Sequence, residues 1–136
     1  METRYLDLVD FLLIAEAALG VEVAVLQRTT SLHLAESALA APAAEFGGSE
    51  FYPEIHTKAA ILCSRIVRNH PLPDGNKRLG YLCAVEFVER NGFFWQPPAE
   101  DDPGGDETVT VTQALAAGDI DEAEFAQWVA ERVRMP

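Results

Sequence analysis

Residues 70–88 of the chain read HPLPDGNKRLGYLCAVEFV, and the two halves of this stretch differ in character. The second half, from Leu79 to Val88, is apolar nearly all round, as expected of a helix that is buried on every side. The first half brings an imidazole, a carboxylate, a glycine and two cations together in nine residues. The stretch therefore predicts a central helix that begins directly after a polar loop.

The loop has the composition of an anion-binding site. A turn that leads into a helix directs unpaired backbone N–H groups at one point, and the helix dipole adds partial positive charge there. Lys77 and Arg78 add full positive charges beside these groups. Asp74 can hold a hard metal ion, and His70 can accept a proton. We therefore expect a site for a phosphorylated small molecule such as a nucleotide.

The chain is acidic, but its cations are concentrated around this loop. It carries 10 Lys and Arg against 22 Asp and Glu, for a net charge of -12. Between Ile55 and Val85 the only carboxylate is Asp74, and this window holds five of the ten cations: Lys58, Arg65, Arg68, Lys77 and Arg78. One basic window favours a small polyanion over nucleic acid, because a duplex needs a broad basic face. The plain alternative is two helices whose cations happen to lie close together in sequence.

Length and composition indicate a single globular domain over residues 1–136. Apolar residues make up 49% of the chain, which is enough for a core. We find neither an apolar run that could span a bilayer nor a secretory signal, and we expect a cytoplasmic protein. Cys63 and Cys83 lie in apolar helical patterns and are expected to be buried free thiols, with a disulfide between neighbouring helices as the alternative.

Helical periodicity over most of the chain predicts an all-α fold. Helices are expected over Tyr5–Leu19, from hydroxyl caps at 29–31 to Ala40, from Pro53 to the loop, over Leu79–Val88, over Glu107–Ala117 and over Asp121–Val133. Residues 43–51, with Gly47 and Gly48 between two phenylalanines, are expected to form a loop or a short β-hairpin flap. Residues 96–107, rich in Pro, Gly and acidic side chains, are expected to be a solvated loop.

The loop resembles the signature of the Fic/Doc family. That signature is His, usually Pro, then Phe, any residue, Asp or Glu, Gly or Ala, Asn, Gly or Lys, and Arg. The matching residues, in order and without gaps, are His70, Pro71, Asp74, Gly75, Asn76, Lys77 and Arg78. The resemblance extends over most of the chain, and it implies a compact helical bundle with the motif loop, residues 70–78, between two core helices.

Two positions depart from the signature of Fic adenylyltransferases. Leu72 stands where the family usually has a Phe that anchors the loop in the core. We expect the leucine to anchor the loop as well, although it buries less apolar surface. Lys77 stands where those enzymes have a second glycine, which lets the backbone approach the α- and β-phosphates of ATP. The lysine marks the Doc branch, where it is thought to reverse the nucleotide. The resemblance therefore implies transfer of the γ-phosphoryl group, with AMP transfer as the alternative.

The resemblance implies a role for each matching side chain. His70 would be the general base that deprotonates a target hydroxyl. Asp74 would coordinate Mg²⁺ on the phosphates of ATP, although a turn or a helix cap is an alternative role. Lys77 and Arg78 would neutralise the charge that develops during transfer.

The same two cations are expected to bind phosphate together with Pro73, Gly75 and Asn76. Gly75 would permit a tight backbone turn and a close approach of the nucleotide to the backbone. Asn76 would either bind a phosphate or hold the loop.

The sequence allows two interpretations for each of four residues outside the motif. Lys58, Arg65 and Arg68 are expected either to contact phosphate or target, or to lie on an exposed helix face. Phe46 is either a hydrophobic grip on the target, if the flap adds a strand to it, or the buried aromatic of a plain loop.

The resemblance also implies partners. The family's known target is elongation factor Tu, whose modification inhibits translation. Many Fic proteins inhibit themselves with a helix that carries Ser or Thr four positions before a Glu, and this chain has no such pair. A separate Phd-like antitoxin is therefore expected, and the acidic surface would favour an antitoxin tail that carries cations. A degenerate module that only binds nucleotide or antitoxin is the non-enzymatic alternative; direct nucleic-acid or membrane binding is not expected.

Overall fold

A computed structural model describes residues 2–101 and 106–136 of the chain. Within these residues the chain forms seven α-helices and two small antiparallel sheets of two strands each. The elements, in chain order, are α1 (Leu8–Leu19), α2 (Val23–Thr29), α3 (Leu32–Ala40), β1 (Glu45–Phe46), β2 (Ser49–Glu50), α4 (Ile55–Asn69), α5 (Asn76–Arg90), β3 (Phe94–Trp95), α6 (Glu107–Ala117), α7 (Glu122–Ala130) and β4 (Val133–Arg134). The predicted all-α helical bundle is confirmed.

Helices α4 and α5 form the centre of the bundle. Leu79, Cys83 and Phe87 of α5 are fully buried, and α4 also contacts α3, α6 and α7. At the crossing, a Cβ on Gly80 would lie 3.0 Å from the carbonyl oxygen of Cys63, so the glycine permits the close approach of the two helices. Both cysteines are buried and free, as predicted, and burial raises the pKa of the Cys63 thiol to about 12. The loop that joins α4 to α5 therefore connects two closely packed core helices.

The two N-terminal helices differ from the sequence prediction at their boundaries. Helix α1 begins at Leu8 rather than Tyr5, because Asp7 and Asp10 each accept the other's backbone N–H at 2.9 Å and so form a capping box. It ends at Gly20, as predicted, with the glycine in the left-handed conformation. Helix α2 was not predicted, because seven residues are too few for a recognisable period.

The starts of α3 and α4 correct two further predictions. The hydroxyl of Ser31, the residue before α3, makes no capping hydrogen bond; its backbone N–H instead donates to the carbonyl of Pro71 in the motif loop at 2.8 Å. Helix α4 begins at Ile55, so Pro53 precedes the helix rather than forming its first turn. The N-terminus of α3 therefore has no side-chain cap, and the Ser31 N–H ties the start of this helix to the loop.

Residues 45–50 form the short β-hairpin that was one of the two predictions for this segment. Glu45 pairs with Glu50 and Phe46 with Ser49, and all four side chains are exposed. Gly47 and Gly48 both have positive φ, at 59° and 83°, which is the backbone of a two-residue hairpin turn.

The C-terminal region contains a sheet that the sequence prediction missed. Helix α7 begins after Asp121, which caps it as predicted, but ends at Ala130. Val133 then pairs with Trp95, so β3 and β4 form a second antiparallel pair in place of the predicted last helical turn. Residues 99–101 of the predicted solvated loop form a 3₁₀ turn, and its residues 102–105 lie outside the described residues. In the described chain we find no helix with the length and apolarity needed to cross a membrane.

Candidate functional site

His70 ends α4 in a backbone conformation that non-glycine residues rarely adopt. Its φ and ψ are 52° and 55°, and it is the only non-glycine residue with positive φ in the described parts of the chain. This conformation costs about 1–3 kcal/mol and persists only where neighbouring contacts impose it. The contacts are the hydrogen bond from Ser31 to Pro71 and one from the Asn69 amide to the carbonyl of Leu34, at 3.1 Å. The imidazole itself is exposed.

Leu72 and Asn76 hold the loop to the core. Leu72 is only 2% exposed, so the leucine buries itself in the anchoring position as expected. Asn76 accepts the Leu72 N–H through Oδ1 and donates to the Leu72 carbonyl through Nδ2, both at 2.9 Å. Of the two roles that the sequence left open for the Asn76 side chain, the structure shows the one that holds the loop.

Gly75 precedes α5 in a left-handed backbone conformation that favours glycine. Its φ is 89°, and a Cβ there would lie 2.8 Å from a methyl carbon of Leu19. The end of α1 thus packs against the start of α5, and Arg78 donates to the carbonyl of Ala18 at 3.3 Å. A larger residue at 75 would be strained by this φ and would require the Leu19 side chain to move.

The first turn of α5 presents the predicted anion-binding groups. The backbone N–H groups of Asn76, Lys77 and Arg78 are the first of the helix, and such groups have no partner within it. Asp74 is exposed, and its Oδ1 accepts the N–H of Gly75 at 2.9 Å, so it also serves as the turn residue that the sequence left as an alternative. The side chains of Lys77 and Arg78 are exposed beside it.

A cleft of about 490 Å³ opens from this turn. One side is residues 74–78 with Tyr81 and Leu82 of α5, and the other side is helix α6. The α6 wall, as we call it below, consists of Thr108, Val109, Thr112 and Gln113. Sequence reasoning missed this wall because residues 107–117 show only amphipathic helix, and their position opposite α5 is a property of the tertiary fold. The described residues that line the cleft do not include His70 or Pro73, both of which are exposed.

Lys58 occupies neither of the positions expected for it. It is 2% exposed, and its Nζ lies 2.8 Å from a carboxylate oxygen of Glu50 and 3.3 Å from the carbonyl of Pro42. The ring of Tyr5 lies 5.5 Å from the same nitrogen. Burial opposes the charge, but Glu50 and Tyr5 outweigh it and raise the pKa of Lys58. Both predictions for Lys58, a contact with phosphate or target and an exposed face, are wrong, because the residue pins the β1–β2 hairpin to α4.

Arg65 and Arg68 are bound to one carboxylate of α7. Glu122 lies 2.9 Å from Nε of Arg65 and 3.1 Å from a guanidinium nitrogen of Arg68, and it accepts the hydroxyl of Ser64 at 2.7 Å. Burial opposes the ionisation of Glu122, but these hydrogen bonds and charges outweigh it and lower its pKa. The two arginines therefore link α4 to α7. Arg65 is half-buried, whereas Arg68 lies on the exposed helix face that was one of its two predictions.

The cations of the cleft differ from these three. Among the described residues no carboxylate forms an ion pair with Lys77 or Arg78. The exposed Asp74 of the same loop is instead hydrogen-bonded to the Gly75 N–H. The cleft therefore combines unpaired cations with the free N–H groups of a helix N-terminus, as an anion site requires.

The donor set suits a metal ion that is shared with a ligand. The described residues contain no group of three or more His, Cys, Asp or Glu side chains that could hold a metal ion on their own. Asp74 offers a single exposed carboxylate beside the N-terminus of α5. Mg²⁺ is commonly bound by one or two carboxylates together with phosphate oxygens, and Asp74 fits this arrangement.

Comparison with known proteins agrees with the motif. The family model described as the Fic/DOC family matches residues 5–88, which include the loop and most of the core helices. A protein named Toxin Doc from Mycolicibacterium smegmatis is 38% identical over 90 residues, which are 66% of this chain and 66% of that protein. No solved structure shows a significant match. The chain belongs to the Fic/Doc family.

Proposed function

We propose that this chain is a Doc-type toxin that transfers the γ-phosphoryl group of ATP to a hydroxyl group of a protein. The observation that carries the proposal is the pair Lys77 and Arg78, exposed in the cleft at the N-terminus of α5 and without an ion-pair partner among the described residues. Membership of the Fic/Doc family and the similarity to Toxin Doc support it further. Lys77, in the position of the second glycine of adenylyltransferases, favours phosphoryl over AMP transfer.

The first turn of α5 would hold the phosphates of ATP. Backbone N–H groups and the helix dipole meet the phosphate oxygens there, and Lys77 and Arg78 add two full charges. Arg78 is oriented by its hydrogen bond to the carbonyl of Ala18. Mg²⁺ held by Asp74 and phosphate oxygens would neutralise part of the triphosphate charge.

His70 would act on the protein substrate. Its imidazole accepts the proton of the target hydroxyl, and the hydroxyl oxygen attacks the γ-phosphorus. The bond from that phosphorus to the oxygen shared with the β-phosphate breaks, and ADP leaves. The exposed position of His70, outside the walls of the cleft, suits a base that must reach a second macromolecule.

The target and the inhibitor follow from the family resemblance. We propose elongation factor Tu as the target, so that phosphorylation inhibits translation in the cytoplasm, and a Phd-like antitoxin as the neutralising partner. The β1–β2 hairpin would bind an extended segment of the target through its backbone. Phe46 of this hairpin is 79% exposed, which suits the hydrophobic grip rather than a buried aromatic.

Labelled ATP tests the reaction class. We expect a bacterial lysate incubated with the chain and Mg²⁺ to contain one labelled protein when the label is in the γ-phosphate of ATP. His70→Ala should abolish the labelling without lowering the melting temperature, because an exposed imidazole contributes little to the core. His56→Ala is the matched control, since this histidine lies about 21 Å away along α4. Label that arrives only from the α-phosphate of ATP would establish AMP transfer instead.

A further inference from the structure

We propose that Asn69 is a positioning residue for the transfer reaction, because its side-chain amide holds His70 in the left-handed conformation that directs the imidazole. The inference rests on the proposed function, since it concerns the base of that reaction. It assigns a role to a residue that lies outside the motif and does not line the cleft. Asn69 would act through the backbone of its neighbour rather than through contact with ATP or with the protein substrate.

The end of α4 differs from the other helix ends that use the left-handed conformation. In the described chain α1 and α6 also end in this way, and there the residue is a glycine, Gly20 or Gly118. At α4 the residue is His70, with φ 52° and ψ 55°, and its N–H donates to the carbonyl of Ile66 at 3.1 Å. A glycine would end the helix without the steric cost that a Cβ brings. The histidine therefore keeps a strained conformation that ending the helix does not require.

Packing of the imidazole does not explain this strain. The side chain of His70 is exposed, and no hydrogen bond or ion pair engages it in the described chain. Catalytic bases are commonly oriented by a third group that hydrogen-bonds the base. Because His70 has no such group among the described residues, the direction of its imidazole depends on its backbone and on its rotamer. Relaxation to the right-handed region, where φ is negative, would turn the Cα–Cβ bond and carry the imidazole away from its present place.

The two neighbours of His70 in sequence are both bonded to the start of α3. Asn69 donates from Nδ2 to the carbonyl of Leu34 at 3.1 Å. On the other side, the carbonyl of Pro71 accepts the N–H of Ser31 at 2.8 Å. Helix α3 is itself fixed by buried side chains and by its packing on α4. The strained residue is therefore held from both sides by one rigid element.

Of these two tethers, only the one from Asn69 depends on the identity of a side chain. The Ser31 N–H and the Pro71 carbonyl are backbone groups that nearly any sequence supplies. The tether to Leu34 needs a side chain that carries an N–H donor at its end. A neutral hydrogen bond of this kind shifts the ratio of two conformations about fivefold. A shift of this size matters for a conformation that non-glycine residues rarely adopt.

NMR of the full, isotopically labelled chain at neutral pH and without nucleotide tests the conformational part of this inference. The NOE between the amide and α protons of one residue is strong where φ is positive, because the two protons are then close together. We expect this NOE of His70 to be strong in the wild type and weaker in both Asn69→Ala and Asn69→Asp. The aspartate has nearly the same shape but cannot donate to the Leu34 carbonyl. If either variant keeps the wild-type NOE, the inference is overturned.

Kinetics well below the melting temperatures of all variants test the catalytic part. We expect Asn69→Ala to lower kcat for labelling from γ-labelled ATP about fivefold. The KM for ATP should stay unchanged, because the proposed phosphate site lies at the first turn of α5. Ser64→Ala is the matched control, since it removes one hydrogen bond of α4, to Glu122 at 2.7 Å. It should lower the melting temperature and leave both kinetic constants unchanged. A wild-type kcat in Asn69→Ala, or an equal loss of kcat in Ser64→Ala, overturns the inference.

The NOE separates failure of this inference from failure of the proposed function, because it needs neither ATP nor a protein substrate. If the wild-type chain transfers no phosphoryl group but both Asn69 variants weaken the NOE, the proposed function fails and the role of Asn69 in holding His70 stands. If the wild-type chain transfers the phosphoryl group and the NOE is the same in all variants, the inference alone fails.

Discussion

The two ends of the basic window differ in how their cations are used. Lys58, Arg65 and Arg68 each lie within 3.1 Å of a carboxylate oxygen, from Glu50 or Glu122. Lys77 and Arg78 lie in a cleft, and no described carboxylate pairs with them. The first group links α4 to the hairpin and to α7, whereas the second group leaves its charge available to a ligand.

This difference teaches that cations close together in sequence need not form one site. The sequence gives residues 55–85 a surplus of positive charge, because the window itself holds a single carboxylate, Asp74. The partners that neutralise three of the five cations come from outside it, 8 residues away for Glu50 and 57 residues from Arg65 for Glu122. Position in the cleft at the N-terminus of α5, together with the absence of an ion pair in the described chain, marks Lys77 and Arg78 as functional candidates.

The largest effect is expected from removing a cation of the cleft. Lys77→Ala should lower the rate of protein phosphorylation at least about a hundredfold, because the charge acts directly on the transferring phosphate. The free energy of unfolding should change by less than about 0.5 kcal/mol, since the side chain is exposed. The rate of labelling from γ-labelled ATP and urea unfolding measure the two quantities.

Arg28→Ala, at an exposed cation of α2, is the control for Lys77→Ala and should affect neither quantity. A Lys77→Ala variant that keeps its transfer rate but unfolds more easily would show that Lys77 stabilises the fold, as Lys58, Arg65 and Arg68 do. The difference between the two groups of cations would then disappear.

The next largest effect is a loss of stability, expected when the ion pair between Lys58 and Glu50 is broken. Glu50→Gln should destabilise the chain by about 2 kcal/mol, because Lys58 is left charged and buried with only a carbonyl and a ring as partners. Urea unfolding measures this loss. Glu45→Gln, the same change at the residue paired with Glu50 across the hairpin, should not destabilise, because it removes a pair of like charges. Equal effects of the two substitutions would show that the ion pair does not hold the hairpin.

A smaller effect that depends on pH is expected at Glu122. Its pKa is lowered in the folded chain, so its contacts stabilise the fold above the ordinary value of 4.5, and the stabilisation is lost as the pH falls through the folded pKa. Glu122→Gln should therefore lower the free energy of unfolding by about 1 kcal/mol at neutral pH and by progressively less as the pH falls below 4.5. Urea unfolding of the wild type and the variant at neutral and at acidic pH measures this effect. A loss of unfolding free energy that grows on acidification would refute the prediction.

The motif and the central helices could be predicted because their signals are local. The motif from His70 to Arg78 is encoded by contiguous residues, and the apolar stretch after it predicts the buried α5. The helix begins at Asn76, so the last three residues of the predicted loop form its first turn. The hairpin was one of two options, and its two adjacent glycines supply the turn. These features need no knowledge of what lies elsewhere in the chain.

The remaining features depend on contacts between distant residues. The pairing of Trp95 with Val133 joins strands of two residues each, which are too short to show alternation. The Thr30–Ser31 hydroxyls suggest a helix cap, but the Thr30 hydroxyl is buried without a described partner and the Ser31 N–H bonds to the motif loop instead. The sequence likewise does not reveal the α6 wall, because these residues line the cleft only through the packing of α6 opposite α5.

The most direct test of the cleft as a phosphoryl-transfer site is the intact mass of purified elongation factor Tu after incubation with this chain, ATP and Mg²⁺. A gain of about 80 Da, one phosphoryl group, is the predicted result, and it should disappear with Lys77→Ala but persist with Arg28→Ala. A gain of about 329 Da, one AMP group, would contradict the role given to Lys77, because the nucleotide would then bind in the adenylyltransferase orientation. An unchanged mass would contradict elongation factor Tu as the target.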